Sequence, residues 1–317
     1  MTDKPPPGGI GSIGPLKVAR VGYGAMQLFE SSSPEDAAAV LRRAVELGVN
    51  HIDTASFYGP GEVNRRIRAA LSPYRSPYGE DLVIVSKVGA RYTGAQPVPL
   101  AAAQKPAELR AAVEDDLSQL GLDRIPVVNL RRMDLGPGVG AEGDQIVDVD
   151  DQLAEMIALR DEGKIGAIGI SSVPLEVLRR ALPAGIVCVQ NAYSLLDRSQ
   201  EEMVDVCTRE GIAWVPYFPL GSAFPGFPKP AEDAVVVDIA GALGVTPAQV
   251  GLAWLLAHSP TTLLIPGTRS IAHLEENIGA GYVTLSAEAI ARLDAVTTPG
   301  TDPWAHGVEP FLEAPTT

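Results

Sequence analysis

From residue 19 onward, apolar positions fall into two alternating rhythms. Short continuous runs of Val, Ile, Leu and Ala are each followed by a longer stretch in which apolar residues recur at helical spacing. The first rhythm belongs to strands buried on both faces, and the second to helices that bury one face. The runs predict strands at 49–52, 82–88, 125–130, 165–170, 186–190, 212–216 and 262–265, with a first inner strand inside 19–28 that carries Gly22 and Gly24. The spaced stretches predict helices over 34–47, 61–71, 105–120, 150–162, 174–182 and 199–210, then 233–243, 247–258, 271–279 and 287–295. Punctuation agrees: Ser33 is an N-cap before Pro34, and Gly48, Gly121, Gly163 and Gly211 close helices. Residues 10–18 read as a β-hairpin turning at Gly14-Pro15, after a loose leader over 1–9.

Strands alternating with helices mean a parallel sheet, and about eight strands is the count of a (β/α)8 TIM barrel. A doubly wound sheet is the rival, but it would carry a Gly-rich phosphate turn after its first strand. Gly22-Tyr23-Gly24 lacks the third glycine and leads into no immediate helix. With no linker visible, residues 1–317 are expected to form one barrel domain. Longer loops at 89–104, 133–149 and 218–232 follow strands, so they fall on the C-terminal face where barrel active sites sit. The tail over 297–317 is expected near that face.

Composition narrows the function. Aromatics make up 5% of a chain that is 46% hydrophobic, so the core is aliphatic. A net charge of −14 argues against nucleic acid or an anionic membrane as partner. Cys188, Cys207 and four scattered histidines show no metal-ligand spacing, and two cysteines fit a reducing cytoplasm. The N-terminus lacks the apolar core of a signal peptide, and apolar runs such as 250–257 are too short to span a membrane. The expectation is a cytoplasmic monomer or weak homo-oligomer acting on a small molecule, without a metal.

The candidate chemistry lies at strand ends. Asp53 stands where the 49–52 run stops, Tyr58 follows on the loop, and Lys87 ends the next strand. Neighbouring parallel strands bring such residues to one point. A phenol with a pKa near ~10 is a poor acid at neutral pH, and a lysine cation beside it draws that value down. An aspartate holds the lysine charged and aimed. The trio suits proton delivery to a carbonyl oxygen. Taken alone, it is equally an ordinary buried ion pair at a barrel rim. His51 is expected to point between barrel and helices.

The residues also resemble the aldo-keto reductase family, from the hairpin almost to the C-terminus. Asp53-Thr54-Ala55-Ser56-Phe57-Tyr58-Gly59 is similar to the signature around the family's catalytic aspartate and tyrosine, and Lys87 stands at the catalytic lysine. Gly169-Ile170-Ser171-Ser172 resembles the Gly-x-Ser-Asn segment that binds the nicotinamide amide, and Gln190 matches the glutamine of the same contact. Tyr217, in a segment with Pro219, Leu220 and Ser222, matches the tyrosine that stacks on the nicotinamide ring. Pro266-Gly267-Thr268-Arg269, with Glu276-Asn277 behind it, resembles the segment that holds the adenosine phosphate and adenine. The resemblance implies a (β/α)8 barrel, hydride transfer to an aldehyde or ketone, and NADPH bound extended, with NADH as the alternative. It adds Gly24 to the cofactor-binding residues and Met26, Tyr58, Asn129, Arg131, Phe224 and Trp304 to the substrate pocket, with Phe227 as a further pocket wall. Arg269 would clamp the 2′-phosphate.

One position departs from the family. Its usual histidine at the end of the fourth strand is Arg131 here. Alternation puts Val127, Asn129 and Arg131 on one strand face, so both polar residues are expected in the barrel mouth. An arginine stays charged and shuttles no proton at neutral pH, but it binds an anion or a phenolate. This segment and its surroundings resemble a bacterial pyridoxal-reductase-like subgroup, which makes pyridoxal the implied substrate. A broad aldehyde-detoxifying reductase and an NADPH-binding regulatory subunit with little turnover are the alternatives.

Overall fold

The elements form close to where the hydrophobic rhythm predicts them, in a computed structural model that describes residues 5–75, 81–95, 100–134, 140–221 and 228–296. The hairpin is β1 (Ile10–Ile13) and β2 (Leu16–Ala19), turning at Gly14 with φ 56°. Then come β3 (Tyr23–Gly24), α1 (Pro34–Glu46), β4 (His51–Asp53), α2 (Glu62–Leu71) and β5 (Val83–Val88). They are followed by β6 (Ala90–Tyr92), β7 (Leu100–Ala102), α3 (Pro106–Leu120), β8 (Ile125–Arg131), α4 (Val149–Asp161) and β9 (Ile165–Ser171). Next are α5 (Leu175–Ala181), β10 (Ile186–Gln190), α6 (Glu201–Glu210) and β11 (Ala213–Trp214). The described chain ends with α7 (Ala234–Leu243), α8 (Pro247–His258), α9 (Ile271–Gly279) and α10 (Ala287–Asp294). The Ser33 hydroxyl accepts from Asp36 N at 3.1 Å, the cap that the sequence predicts. No single helix among the described residues is long and apolar enough to cross a membrane.

A seven-stranded parallel sheet runs in the order β3, β4, β5, β8, β9, β10, β11. The eighth place is taken by residues 262–267, which bridge both edges: Thr262 pairs with Trp214, Leu264 with Val21, and Gly267 with Gly24, all parallel. The sheet thus closes into the (β/α)8 barrel. The predicted strand at 262–265 is present as these bridges and not as a regular ladder. Backbone approach is tight at the seam, where a Cβ on Gly24 would lie 2.4 Å from the Ile265 carbonyl oxygen. The predicted first inner strand is shorter than expected, because Met26–Glu30 turns into a 3-10 helix. The 89–104 loop contains a hairpin instead of irregular chain, β6 pairing antiparallel with β7.

Two apolar layers follow from strand alternation. The larger lies between strands and helices and holds Ile52, Ile84, Val128, Ile168 and Val189. The smaller fills the lumen with Val83, Val85, Val127, Cys188, Ala213, Val215 and Leu263, and the hairpin residues Ile13 and Val18 pack into it.

His51 corrects an expectation. It pairs with Val83, a lumen residue, and its neighbour Ile52 faces the helices. It therefore shares the inner face with Asp53. Its ring packs against Gly22, where a Cβ would sit 2.1 Å from Nε2, and neither ring nitrogen has a partner. Burial pulls its pKa from 6.5 down to about 4. Asp116 on α3 is buried as well. It accepts from Ser86 Oγ at 2.5 Å and Asn64 Nδ2 at 2.7 Å, and burial pushes its carboxyl from 3.8 up to about 7.

These two groups load stability in opposite directions. Between about pH 4 and 6.5 the unfolded chain protonates His51 and the folded chain does not, so the His51 contribution is lost as pH falls. Over a similar window folded Asp116 keeps a proton that the unfolded chain releases, so that contribution is lost as pH rises. Relative to wild type, His51→Gln is expected to tilt the stability–pH slope downward with rising pH, and Asp116→Asn to tilt it upward. Each tilt should approach ~1.4 kcal/mol per pH unit. Urea unfolding at two pH values checks this, and variant slopes parallel to wild type would refute it.

Candidate active site

Asp53 is the last residue of β4, and Lys87 lies near the end of β5. Asp53 pairs with Val85, so Lys87 rises one inward step above it and its long chain reaches back. Lys87 Nζ donates to Asp53 Oδ1 and, at 2.8 Å, to the Thr54 carbonyl. Gln190 Nε2 donates to Asp53 Oδ2 at 2.7 Å. All three side chains are buried. Tyr58 sits on the loop with its ring centroid 5.0 Å from Nζ. That loop is set by Gly59, whose φ of 51° places its Cα under the Phe29 ring, where a Cβ would clash at 2.0 Å.

The electrostatics refine the expectation for the phenol. Burial pushes Tyr58 above the ordinary phenol value, while the charge and hydrogen bond of Lys87, together with Arg131, draw it down. The lowering by Lys87 is there, but the net direction is upward. Burial alone would lower the ammonium of Lys87; Asp53 and Tyr58, by charge and hydrogen bond, outweigh it and hold the pKa above its usual value. The arrangement therefore keeps a protonated phenol against a charged lysine at neutral pH, which is the state a proton donor needs.

Arg131 ends β8, half-buried, with its guanidinium 5.6 Å from the Phe57 ring centroid and in contact with Met133 Sδ. Arg131 forms no ion pair with Asp53 or Asp134: Asp134 is bound by Arg132, and Arg131 has no carboxylate partner among the described residues. Burial lowers its pKa, and the phenols of Tyr217 and Tyr58 oppose that. Asn129 does share the inner face, but it is fully buried under the rim and not open in the mouth. It pairs with Lys87 and Gly169, and its Oδ1 accepts from Cys188 Sγ at 3.0 Å, leaving Nδ2 without a partner.

Two of the residues expected at a cofactor, Ser171 and Gln190, stand at strand ends on the same face. Ser171 closes β9, and Ser172 follows with φ 56°, a left-handed conformation that asparagine adopts more readily than serine. Ser172 Oγ and Tyr217 OH are 3.2 Å apart. Gly24 and Gly267 meet at the barrel seam, which gives both a structural reason to lack a side chain. Thr268 is buried, and its carbonyl accepts from Tyr23 OH at 2.5 Å. Glu276 Oε1 accepts from the Thr246 hydroxyl that caps α8, at 2.6 Å, and Asn277 lies beside it on α9. Arg269 stands just before α9, donating to the Glu30 carbonyl at 2.8 Å with the Glu30 carboxylate 3.6 Å away. Pro219 and Leu220 lie on the loop after β11, and Met26 is 49% exposed at the mouth. Ser222, Phe224, Phe227, Trp304 and the 297–317 tail lie outside the described residues. Sequence reasoning missed Thr54 as a lysine acceptor and Phe57 as the ring under Arg131. Both belong to the motif that carries Asp53, but loop residues have no periodicity to reveal where they point.

Comparison with known proteins agrees with this geometry. The model of the Aldo/keto reductase family matches residues 20–298. The chain is 45% identical over 294 residues to the pyridoxine 4-dehydrogenase of Escherichia coli K12, covering 90% of this chain and 97% of that one. It is 35% identical over 295 residues to an oxidoreductase of Schizosaccharomyces pombe, covering 90% and 89%. Among solved structures, an aldo-keto reductase of Klebsiella pneumoniae in complex with NADPH superposes with a TM-score of 0.73 at 26% identity, covering 89% of this chain and 92% of that one.

The buried pair makes a stability prediction. Lys87→Met leaves the Asp53 charge buried with only Gln190 as donor and should destabilise by roughly 3–5 kcal/mol. Adding Asp53→Asn removes the orphan charge and should recover most of that. Urea unfolding of both variants is the check, and a single variant within ~1 kcal/mol of wild type would contradict a dry pair.

Proposed function

This chain belongs to the aldo/keto reductase family, and on that footing we propose that it reduces the carbonyl of an aromatic aldehyde with NADPH, pyridoxal to pyridoxine being the best single assignment. The observation that carries the substrate is Arg131: a half-buried guanidinium at the mouth, without a carboxylate partner among the described residues, near Tyr58. A phenolate ortho to an aldehyde is the ligand such a charge suits. The Escherichia coli relative is named for pyridoxine, the alcohol of that pair.

The donor set fits a nicotinamide nucleotide. Gln190 is engaged through Nε2, so its Oε1 stays available to accept from a carboxamide, beside the Ser171 and Ser172 hydroxyls. Arg269 before α9, with the backbone N–H groups at that helix start, suits a phosphate. The Glu30 contact does not forbid it, because an exposed ion pair is worth only ~0–1 kcal/mol and yields to a better anion. NADPH, when bound, supplies the hydride. Tyr58 then gives its proton to the carbonyl oxygen, Lys87 stabilises the phenolate left behind, and Asp53 with Gln190 keeps Lys87 aimed. Arg131 orients the substrate. Ser171, Ser172, Gln190 and Tyr217 would hold the nicotinamide, a positioning contribution. The same reading takes the enzyme as one catalytic domain, a monomer or weak homo-oligomer in the cytoplasm. Its free, buried Cys188 and Cys207 accord with that compartment.

NADPH oxidation with pyridoxal, beside aromatic and aliphatic aldehydes that lack the phenolate, tests this. Tyr58→Phe should lower turnover roughly 10²–10⁴-fold while leaving NADPH binding nearly unchanged. Arg131→Leu should weaken pyridoxal selectively, by about 1.5–3 kcal/mol in kcat/KM. Equal rates across the panel would replace pyridoxal reduction with broad aldehyde detoxification. Tight NADPH binding without turnover would replace it with a regulatory role.

A further inference from the structure

Outside the lumen, four buried polar side chains form a path from Thr54, whose carbonyl Lys87 touches, to Ser86, the residue joined to Lys87 on β5. The Lys87 ammonium donates to the Thr54 carbonyl at 2.8 Å. The Thr54 hydroxyl, on the other side of that residue, donates to Asn64 Oδ1 on α2 at 2.8 Å. Asn64 Nδ2 donates to Asp116 Oδ1 on α3 at 2.7 Å. Asp116 Oδ2 accepts at 2.5 Å from the hydroxyl of Ser86, the residue before Lys87 on β5. Thr54, Asn64, Ser86 and Asp116 each show 0% exposure, so no water competes along this path.

We propose that Asp116 is a positioning residue: with Thr54, Asn64 and Ser86 it closes a hydrogen-bonded ring through the barrel wall that fixes where the Lys87 ammonium points. The proposal rests on the reductase reading, in which that ammonium serves Tyr58.

The donor count explains why a carboxylate stands here. Asn64 uses its one oxygen to accept from Thr54, so it presents its N–H to α3. The Ser86 hydroxyl also arrives as a donor. Two donors converge on this one side chain, and Asp116 meets one on each oxygen. The group has no ion-pair partner among the described residues, and burial works against its charge. A buried acid without a cation opposes stability, so packing α3 alone does not account for it. The ring does account for it. A lysine chain has four rotatable carbons, and its end stays within reach of both Asp53 and Tyr58 only if the Thr54 carbonyl stays in place. Thr54 is the first residue past β4 and is held from below by its N–H to the Val85 carbonyl at 2.8 Å. The ring supplies the restraint from outside.

The test uses the full-length protein and the least disruptive changes. Thr54→Val keeps shape and removes one arm, Ser86→Ala removes another, and Asp116→Leu removes the junction. Asp116→Asn is the conservative variant, since its oxygen still serves Asn64 and the Ser86 hydroxyl can turn to accept. Each is measured for kcat with the aldehyde, KM for NADPH and thermal midpoint. The ¹⁵N signal of the Lys87 ammonium is followed without any substrate. Thr54→Val and Ser86→Ala should each lower kcat about tenfold, equivalent to ~1.4 kcal/mol in the barrier, with KM for NADPH within about twofold. The double variant should lose little more than either single, because a ring once opened is open. Asp116→Asn should retain kcat where Asp116→Leu does not. The ammonium signal should broaden in the variants that open the ring. Lower thermal midpoints with kcat and the Lys87 signal unchanged would overturn the proposal and leave the four residues as packing between helices and barrel. If wild type turned over no carbonyl, the reductase reading would fall, and the ammonium signal would still decide whether the ring holds Lys87.

Discussion

The Asp53–Lys87 pair sits where two ions are least welcome, inside the mouth of a closed barrel. Taking each from water opposes folding by several kcal/mol, and their attraction offsets that only when the remaining hydrogen-bonding positions are filled. Here they are filled. Asp53 accepts from Lys87 on one oxygen and from Gln190 on the other, and Lys87 also donates to Thr54. Those partners come from different strands, so the pair is met only if β4, β5 and β10 all end at one rim. The parallel barrel provides that, and the seam at Gly24 and Gly267 closes it.

Charge is distributed against the chain's overall balance. The sequence carries −14, yet among the described residues Lys87 and Arg131 stand near the single buried carboxylate of Asp53 at the mouth. At ordinary salt the repulsion of the distant acidic surface fades within about 10 Å. Within that range the half-buried guanidinium is screened least. On the proposed reading, an anionic or phenolate substrate is selected by contact at the rim and gains nothing from long-range steering.

The barrel was legible because its evidence is periodic: eight alternations of apolar run and amphipathic stretch leave few alternatives. The trio was legible because strand ends are where such runs stop. What escaped the reading lacks a period. The β6–β7 hairpin lies in a stretch rich in small residues, with no clear in–out alternation. The eighth strand is reduced to bridges next to Pro266, which has no N–H to give a ladder. His51 was legible in principle, since Asp53 two residues on fixes its face, but a basic side chain without partners in a lumen runs against ordinary burial preferences. Asp116 follows Asp115 on a helix and reads as one more solvated acid; only the packing of α3 against β5 reveals a buried one.

Arg131 shows what the exchange of histidine for arginine does to such a site. A neutral histidine can donate a hydrogen bond to a carbonyl without bringing charge, and its proton comes and goes near neutral pH. An arginine brings a permanent charge into a place where burial opposes it, and the phenols of Tyr217 and Tyr58 temper that opposition. No carboxylate among the described residues neutralises it, although Asp134 lies close in sequence and is taken by Arg132. A charge held half-buried in this way opposes stability in the free protein, and the opposition ends when an anionic group arrives. On the proposed reading, recognition energy comes from a charge that no carboxylate among the described residues neutralises. The proposed function thus separates substrate choice, assigned to β8, from proton delivery, assigned to β4 and β5.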